Sequence, residues 1–222
     1  MNTWSRPNTA PTHKKLVRFA YKNKFYSPQH SVSPLPPVPA TGYAPPGPSY
    51  SIPYPPHQPI ASGQYAHSLL DPSAVAWDLI EHPSTIMTHN NYSLSTRTVR
   101  APATTPHLPF LTITSIHLPW KIKVYASNGV YVTLEDIFNS IYRSLRTNIT
   151  SAEFNLFSTQ DDQRRATRAY EKRYRRFRNS TAYEEEKRGG MKRVDFLMGH
   201  TKFLGISNSG SRRPDEWQLR VA

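Results

Sequence analysis

The chain has 222 residues, a formal net charge of +13, 21 prolines and no cysteine. Without cysteine it has no disulfides and no thiolate metal sites, which fits a reducing compartment. No run approaches the roughly 20 apolar residues of a membrane span, and the start MNTWSRPNTAPTHKK lacks the apolar core of a secretory signal. The expectation is therefore an intracellular protein, cytoplasmic or nuclear.

Fourteen of the prolines lie in residues 1–70, with six cations (Arg6, Lys14, Lys15, Arg18, Lys22, Lys24) and no Asp or Glu. So few aliphatic side chains cannot build a core, and residues 1–69 read as a disordered, basic, Pro/Tyr-rich tail. Thr12–Tyr26, THKKLVRFAYKNKFY, interleaves cations with aromatics but keeps no single apolar helical face. It reads as a disordered basic segment; the alternatives are a nuclear-import or nucleic-acid-contacting patch and a helix induced by a membrane surface or a partner. Ser33–Pro59 reads as a semi-rigid polyproline linker. Its PxxP spacings, Pro34/Pro37 and Pro36/Pro39, allow an SH3-like partner but lack the usual flanking cation.

Residues 70–222 read as a single domain. Ala74–Ile80, AVAWDLI, alternates weakly and predicts a strand with Trp77 and Leu79 on one face. Thr85–His107 is polar and turn-rich and reads as a long loop. FLTITSIHLPWKIKVYAS then predicts two strands; in the second, Trp120, Ile122, Val124 and Ala126 face one way and Lys121, Lys123 and Tyr125 the other. VTLEDIFNSIYRSLR predicts a helix with Thr133 as N-cap, Asp136 closing a capping box, and an apolar stripe of Leu134, Ile137, Phe138, Ile141 and Leu145. TSAEFNLFS starts a short helical turn.

RRATRAYEKRYRRFR, Arg164–Arg178, holds eight cations in fifteen residues and one acid, Glu171. On a helical wheel Ala166, Ala169, Tyr170, Tyr174 and Phe177 share an apolar face, and Arg164, Arg168 and Arg175 lie opposite with Lys172 beside them. Repulsion between like charges four apart costs roughly 0.2–0.5 kcal/mol per pair, small against apolar burial at about 25 cal/mol per Å², so the helix forms. Arg164, Arg168, Lys172 and Arg175 are the candidate polyanion-binding set, weighed against an ordinary solvated face and against a protein partner with an acidic patch. Arg173 falls inside the apolar face and needs a buried carboxylate or must snorkel; Asp78, Asp136 and Asp195 are the candidates for a structural ion pair. The acid run Glu184–Glu186 reads as solvated charge at a helix end.

After Gly189–Gly190 the period returns to two. KRVDFLM and KFLGIS flank GHT and predict a hairpin with Val194 and Phe196 inside, and EWQLRV predicts a last strand with Trp217, Leu219 and Val221 on one face. Grouped strands with helices between them imply an α+β fold: a small antiparallel or mixed sheet of about five to six strands packed against two main helices.

No catalytic signature emerges, and none for a metal or another cofactor. The nine histidines show no ligand spacing, GISNSG has Ser209 where a nucleophile elbow needs glycine, and there is no phosphate-binding glycine loop. Asp195 and His200 are the residues that acid–base chemistry would use, with Arg173, if a cleft gathered them. In order, the blocks AWDL, LTIT, HLPWKIKVYAS, VTLEDIFNSIYRSLR, AYEKRYRR, GGMKRVDFLMGHTKFLGIS and PDEWQLRV resemble a large family of uncharacterised proteins from mushroom-forming fungi that share a domain of unknown function. The resemblance spans Pro72 to Val221 and implies an α+β domain in a fungal cell, with no activity to carry over. The functional expectation is a non-enzymatic protein-interaction module with a protein partner. Nucleic-acid or other polyanion binding through residues 164–178 and the basic tail comes second, and an enzyme of unrecognised type third.

Overall fold

The computed structural model describes residues 63–209 and 213–222. The expected disordered tail 1–69 lies outside the described residues except for residues 63–69, and the Thr12–Tyr26 patch and the proline-rich linker lie wholly outside them. The described chain runs β1 (Tyr65–Ala66), β2 (Val75–Ala76), β3 (Met87–Thr88), α1 (Thr96–Val99), β4 (Thr104–Thr105), β5 (Phe110–Ser115), β6 (Leu118–Tyr125), α2 (Leu134–Arg146), α3 (Ser151–Phe154), α4 (Gln160–Tyr174), α5 (Ser180–Arg188), a 3-10 segment (Arg193–Leu197), β7 (Phe203–Asn208) and β8 (Glu216–Val221). This is an α+β architecture.

The main sheet has the order β6-β5-β8-β7. Two antiparallel pairs, β5 with β6 and β7 with β8, are joined by a parallel β5–β8 ladder. The alternation in β6 works as the sequence requires: Leu118, Ile122 and Val124 are buried while Lys121, Lys123 and Tyr125 are exposed. Leu111, Ile113, Trp217 and Leu219 complete the inner face. α2 covers it, packing on β6 and on the 3-10 segment. Thr133 caps α2 and Asp136 closes the box, accepting from the Thr133 N–H at 2.9 Å while the Thr133 hydroxyl accepts from the Asp136 N–H at 3.1 Å. Leu134, Ile137, Phe138, Ile141 and Leu145 are all buried.

Three local expectations change. The 74–80 strand shortens to Val75–Ala76, paired with β3. Beyond it the chain runs along β7 instead: the Leu79 N–H donates to the Thr201 carbonyl at 2.8 Å and the Phe203 N–H to the Trp77 carbonyl at 2.9 Å. Trp77 and Leu79 are buried nonetheless. The expected loop 85–107 contains β3, α1 capped by Ser95, and β4, which pairs with β1. KRVDFLM is not a strand. Val194, Asp195, Phe196 and Leu197 are all buried, so no face is left to water and the apparent period of two is accidental. The hairpin partner of β7 is β8.

The chain enters the fold ahead of residue 70, because Tyr65–Ala66 pairs with Thr104–Thr105 and Leu70 is buried. Gly205 makes that entry possible. Its φ is +122°, and a Cβ there would lie 2.6 Å from the Leu70 carbonyl oxygen and 3.0 Å from the Asp71 carbonyl carbon. The register of β7 against β8 shifts between Phe203 and Gly205, where the strand gives way to the incoming backbone. Gly205→Ala therefore meets both a forbidden φ and a backbone clash. It should destabilise the domain by roughly 2 kcal/mol or more, read as a lowered thermal midpoint; an unchanged midpoint would mean that residues 70–72 do not pack on β7.

Candidate functional site

α4 begins where its sequence says it should. The Thr159 hydroxyl accepts from the Asp162 N–H at 3.1 Å, and Asp161 and Asp162 place negative charge on the first turn. It ends at Tyr174, earlier than the basic stretch does. Arg175 is the C-cap and Asn179 caps α5. Phe177 therefore leaves the apolar face and is 42% exposed. The face that packs is Ala166, Tyr170, Arg173 and Tyr174. It meets α5 and the 3-10 segment. The Tyr170 hydroxyl donates to the Lys187 carbonyl at 2.6 Å, and Tyr174 packs edge-on against Tyr183.

Arg173 lies in the middle of this contact with its side chain fully buried. All three guanidinium nitrogens donate. Nε reaches Asp195 Oδ1 at 3.0 Å, and Nη2 reaches Asp195 Oδ2 at 2.8 Å and the Gly190 carbonyl at 3.0 Å. Nη1 donates to Glu186 Oε1. The bidentate fork is the geometry that only arginine offers a carboxylate. Asp195 also accepts from the Lys192 N–H at 2.8 Å, so it starts the 3-10 segment and holds the cation at once. The other two candidate partners serve elsewhere: Asp78 accepts from Arg176 at 2.8 Å, and Asp136 caps α2.

Glu186 corrects the reading of residues 184–186 as solvated charge. Its carboxylate binds Arg173, Lys192 at 2.8 Å and Arg146 at 3.0 and 3.2 Å. Burial alone would favour its neutral form. The hydrogen bond and charge of Lys192, with the charges of Arg173 and Arg146, outweigh that and hold its pKa down at about 2, against an ordinary 4.5. Lys192 moves down as well, to about 8 from 10.5, because burial and then the charges of Arg146 and Arg173 oppose its ammonium more than Glu186 supports it.

The two shifts act with opposite sense on stability. Glu186, with a depressed acid pKa, stabilises the fold fully above its unfolded value near 4.5, and this is lost as pH falls towards 2. Lys192 resists protonation in the fold, so it costs stability below about pH 8, and the cost fades as pH rises to 10.5. Glu186→Gln should destabilise by roughly 2–4 kcal/mol at neutral pH in urea unfolding, and its gap from the wild type should close progressively below pH 4.5. A gap that stays constant from pH 7 to pH 3 would contradict the ionic role.

The outward face of α4 carries Arg164, Arg168 and Lys172, with Arg175 just beyond, all exposed. Arg164 pairs with Asp161 at 3.1 Å in solvent, where such pairs hold weakly, and exposed Arg175 reaches the partly buried Glu171 at 3.9 Å. Arg164 and Arg168 also line a groove of about 360 Å³ between α3 and α4, with Phe154, Gln160, Gln163, Thr167 and Glu171.

The acid–base candidates are not gathered in a cleft. Arg173 and Asp195 are buried against each other, and His200 stacks on His117 with ring centres 4.9 Å apart. His117 titrates lower than an ordinary histidine, first through burial and then through the charges of His200 and Arg165. It lines a second groove of about 250 Å³ with Ile116, Leu156, Phe157 and Phe196. Among the described residues, no three or more His, Asp or Glu side chains converge as a metal site would require. No helix among them is long and apolar enough to cross a membrane.

Comparison with known families decides one matter. The sequence model of a family of unknown function, DUF6699, matches residues 75–216. The chain belongs to DUF6699. The matched residues run from β2 into the first residue of β8, so Arg173, Glu186, Asp195 and the whole α4 face belong to the DUF6699 domain. No curated protein and no solved structure matches the chain.

Proposed function

We propose that this DUF6699 domain works by binding, as a non-enzymatic intracellular interaction module that takes an acidic protein segment along the outward face of α4. One observation carries the reading. Arg173, the cation turned inward, is fully engaged by Asp195 and Glu186, whereas Arg164, Arg168, Lys172 and Arg175 are turned to solvent along one line. Cations opposed to such a partner raise the encounter rate and fix its register more than they add affinity. The groove beside Arg164 and Arg168 supplies a ring, Phe154, the amides and hydroxyl of Gln160, Gln163 and Thr167, and one carboxylate, Glu171, so a peptide's backbone can use it while its acidic side chains meet the cations outside the groove.

Nucleic acid is the second reading, because the same four cations would neutralise phosphates through counterion release. The fungal cell implied by the resemblance, a cytoplasmic or nuclear setting and the binding role all belong to this proposal.

The test is fluorescence anisotropy with a labelled hexa-glutamate peptide, on the full chain and on a variant with Arg164, Arg168, Lys172 and Arg175 all changed to Gln. None of the four faces the core, so the variant should keep its thermal midpoint. It should bind roughly tenfold more weakly at low salt, with a shallower salt dependence. The tail is common to both proteins, so the difference reports the α4 face. Equal affinities would leave the face as a solvated surface.

A further inference from the structure

The main sheet has two faces: α2 and the 3-10 segment cover one, and on the other residues 70–72 pack only at the β7 edge, over Gly205, which pairs with Arg220. Leu111, Ile113, Ile122, Val124, Trp217 and Leu219 point to α2 and the 3-10 segment. The other face follows from the register. Phe110 lies opposite Tyr125, Thr112 lies between Lys123 on one side and Glu216 on the other, and Thr114 neighbours Gln218, which pairs with Ser207. By the same alternation Lys121 and Arg220 join them. The face is thus a flat array of hydroxyl, amide and cationic groups with two aromatic rings at one end. Phe110 is 45% exposed and Tyr125 63% exposed. A cross-strand pair of rings this exposed adds only modestly to the sheet and leaves both ring faces within reach of a partner.

We propose that this outer sheet face is a platform for single-stranded nucleic acid, with Phe110 and Tyr125 stacking on unpaired bases and Lys121, Lys123 and Arg220 meeting the phosphates. The chemistry of the face selects this occupant. A partner that docked by apolar burial would need aliphatic residues in the middle of the face, where Thr112, Thr114, Gln218 and Ser207 stand. A duplex keeps its bases stacked on each other, so exposed rings on a sheet have nothing to stack on; splayed single strands offer every base as a π-face and its edges to hydroxyl and amide groups. Charge agrees in sign but is modest. Lys121 is bonded to Glu216 at 3.2 Å, and Asp215 stands beside Thr112, its carboxylate 3.5 Å from the Thr112 hydroxyl. Three cations against two acids leave a small excess, so the rings carry most of the contact. The site is independent of the α4 face, since α4 packs on α5 and the 3-10 segment, on the covered side of the sheet.

That division of labour gives a distinguishing signature. Phosphate contacts set the slope of log affinity against log salt, whereas stacking on bases changes affinity without changing the slope. The experiment titrates the full chain into a fluorescein-labelled 12-nucleotide oligothymidine across a salt series. Phe110→Leu with Tyr125→Leu, which keeps apolar bulk but removes the rings, should weaken binding by about tenfold or more at every salt concentration and leave the slope unchanged. Phe110→Tyr with Tyr125→Phe should bind like the wild type, and an unchanged thermal midpoint of the leucine variant separates loss of the rings from loss of fold. A hairpin duplex should bind more weakly than the oligothymidine and should not respond to the leucine changes. The proposal is overturned if the wild type does not bind the oligothymidine, if both ring variants bind alike, or if the leucine changes act only by flattening the slope. Loss of binding in the four-glutamine α4 variant, with the ring variants unaffected, would assign nucleic acid to α4 instead.

Discussion

Burying a guanidinium is unfavourable unless its donors find acceptors in good geometry, and the Arg173 side chain is completely buried. That demand organises the second half of the domain. Its acceptors come from three separate places: the Asp195 carboxylate in the 3-10 segment, the Glu186 carboxylate on α5, and the Gly190 carbonyl between them. α5 has no fully buried residue of its own, so the ionic contact through Glu186, the Tyr170 bond to the Lys187 carbonyl and the edge-on packing of Tyr174 on Tyr183 are what fix it against α4. Removing the cation would leave Asp195 buried beside no other positive side chain bonded to it, and would leave Glu186 to Lys192 and Arg146.

This anchoring explains why the outer face of α4 can be so cationic. The helix has a weak apolar stripe, and four like charges on its exposed side oppose its formation only by a few tenths of a kcal/mol per pair. The buried contact sets its position, which leaves Arg164, Arg168 and Lys172 free of any structural duty in the core. The sheet works on the same plan. Its inner face holds it to α2, and its outer face carries the exposed Phe110, Tyr125, Lys121, Lys123 and Arg220. Two surfaces of different chemistry, one cationic and helical, the other flat and aromatic, follow from one scaffold.

What the sequence made legible is what its periods encode. α2 combined an N-cap, a capping box and a full apolar stripe, and β6 alternated without exception from Leu118 to Tyr125. The inward position of Arg173 was legible too, because a helical wheel is a fair map of a helix that exists. The wheel failed only beyond Tyr174, where the chain turns and carries Phe177 outward. Glu186 was not legible. A Glu-Glu-Glu-Lys-Arg run looks like solvated charge, and the cation it serves sits thirteen residues earlier on another helix. The 3-10 segment was misread for a related reason: Val194 to Leu197 is buried on every side, so it has no polar phase to reveal its geometry. Tyr125 was placed in phase with Lys121 and Lys123, but Phe110 had no assigned face, and only the cross-strand register shows that the two stand opposite each other.

The central claim is that Arg173 ties α4, α5 and the 3-10 segment into one unit. Native-state hydrogen exchange on Arg173→Met tests it most directly, since methionine keeps much of the apolar stem and removes every donor. The account predicts that amides in α4, α5 and residues 192–197, including the Lys192 N–H held by Asp195, lose protection together, while those of the β5–β6 pair change much less. Loss of protection confined to α4, with α5 and the 3-10 segment unchanged, would contradict it.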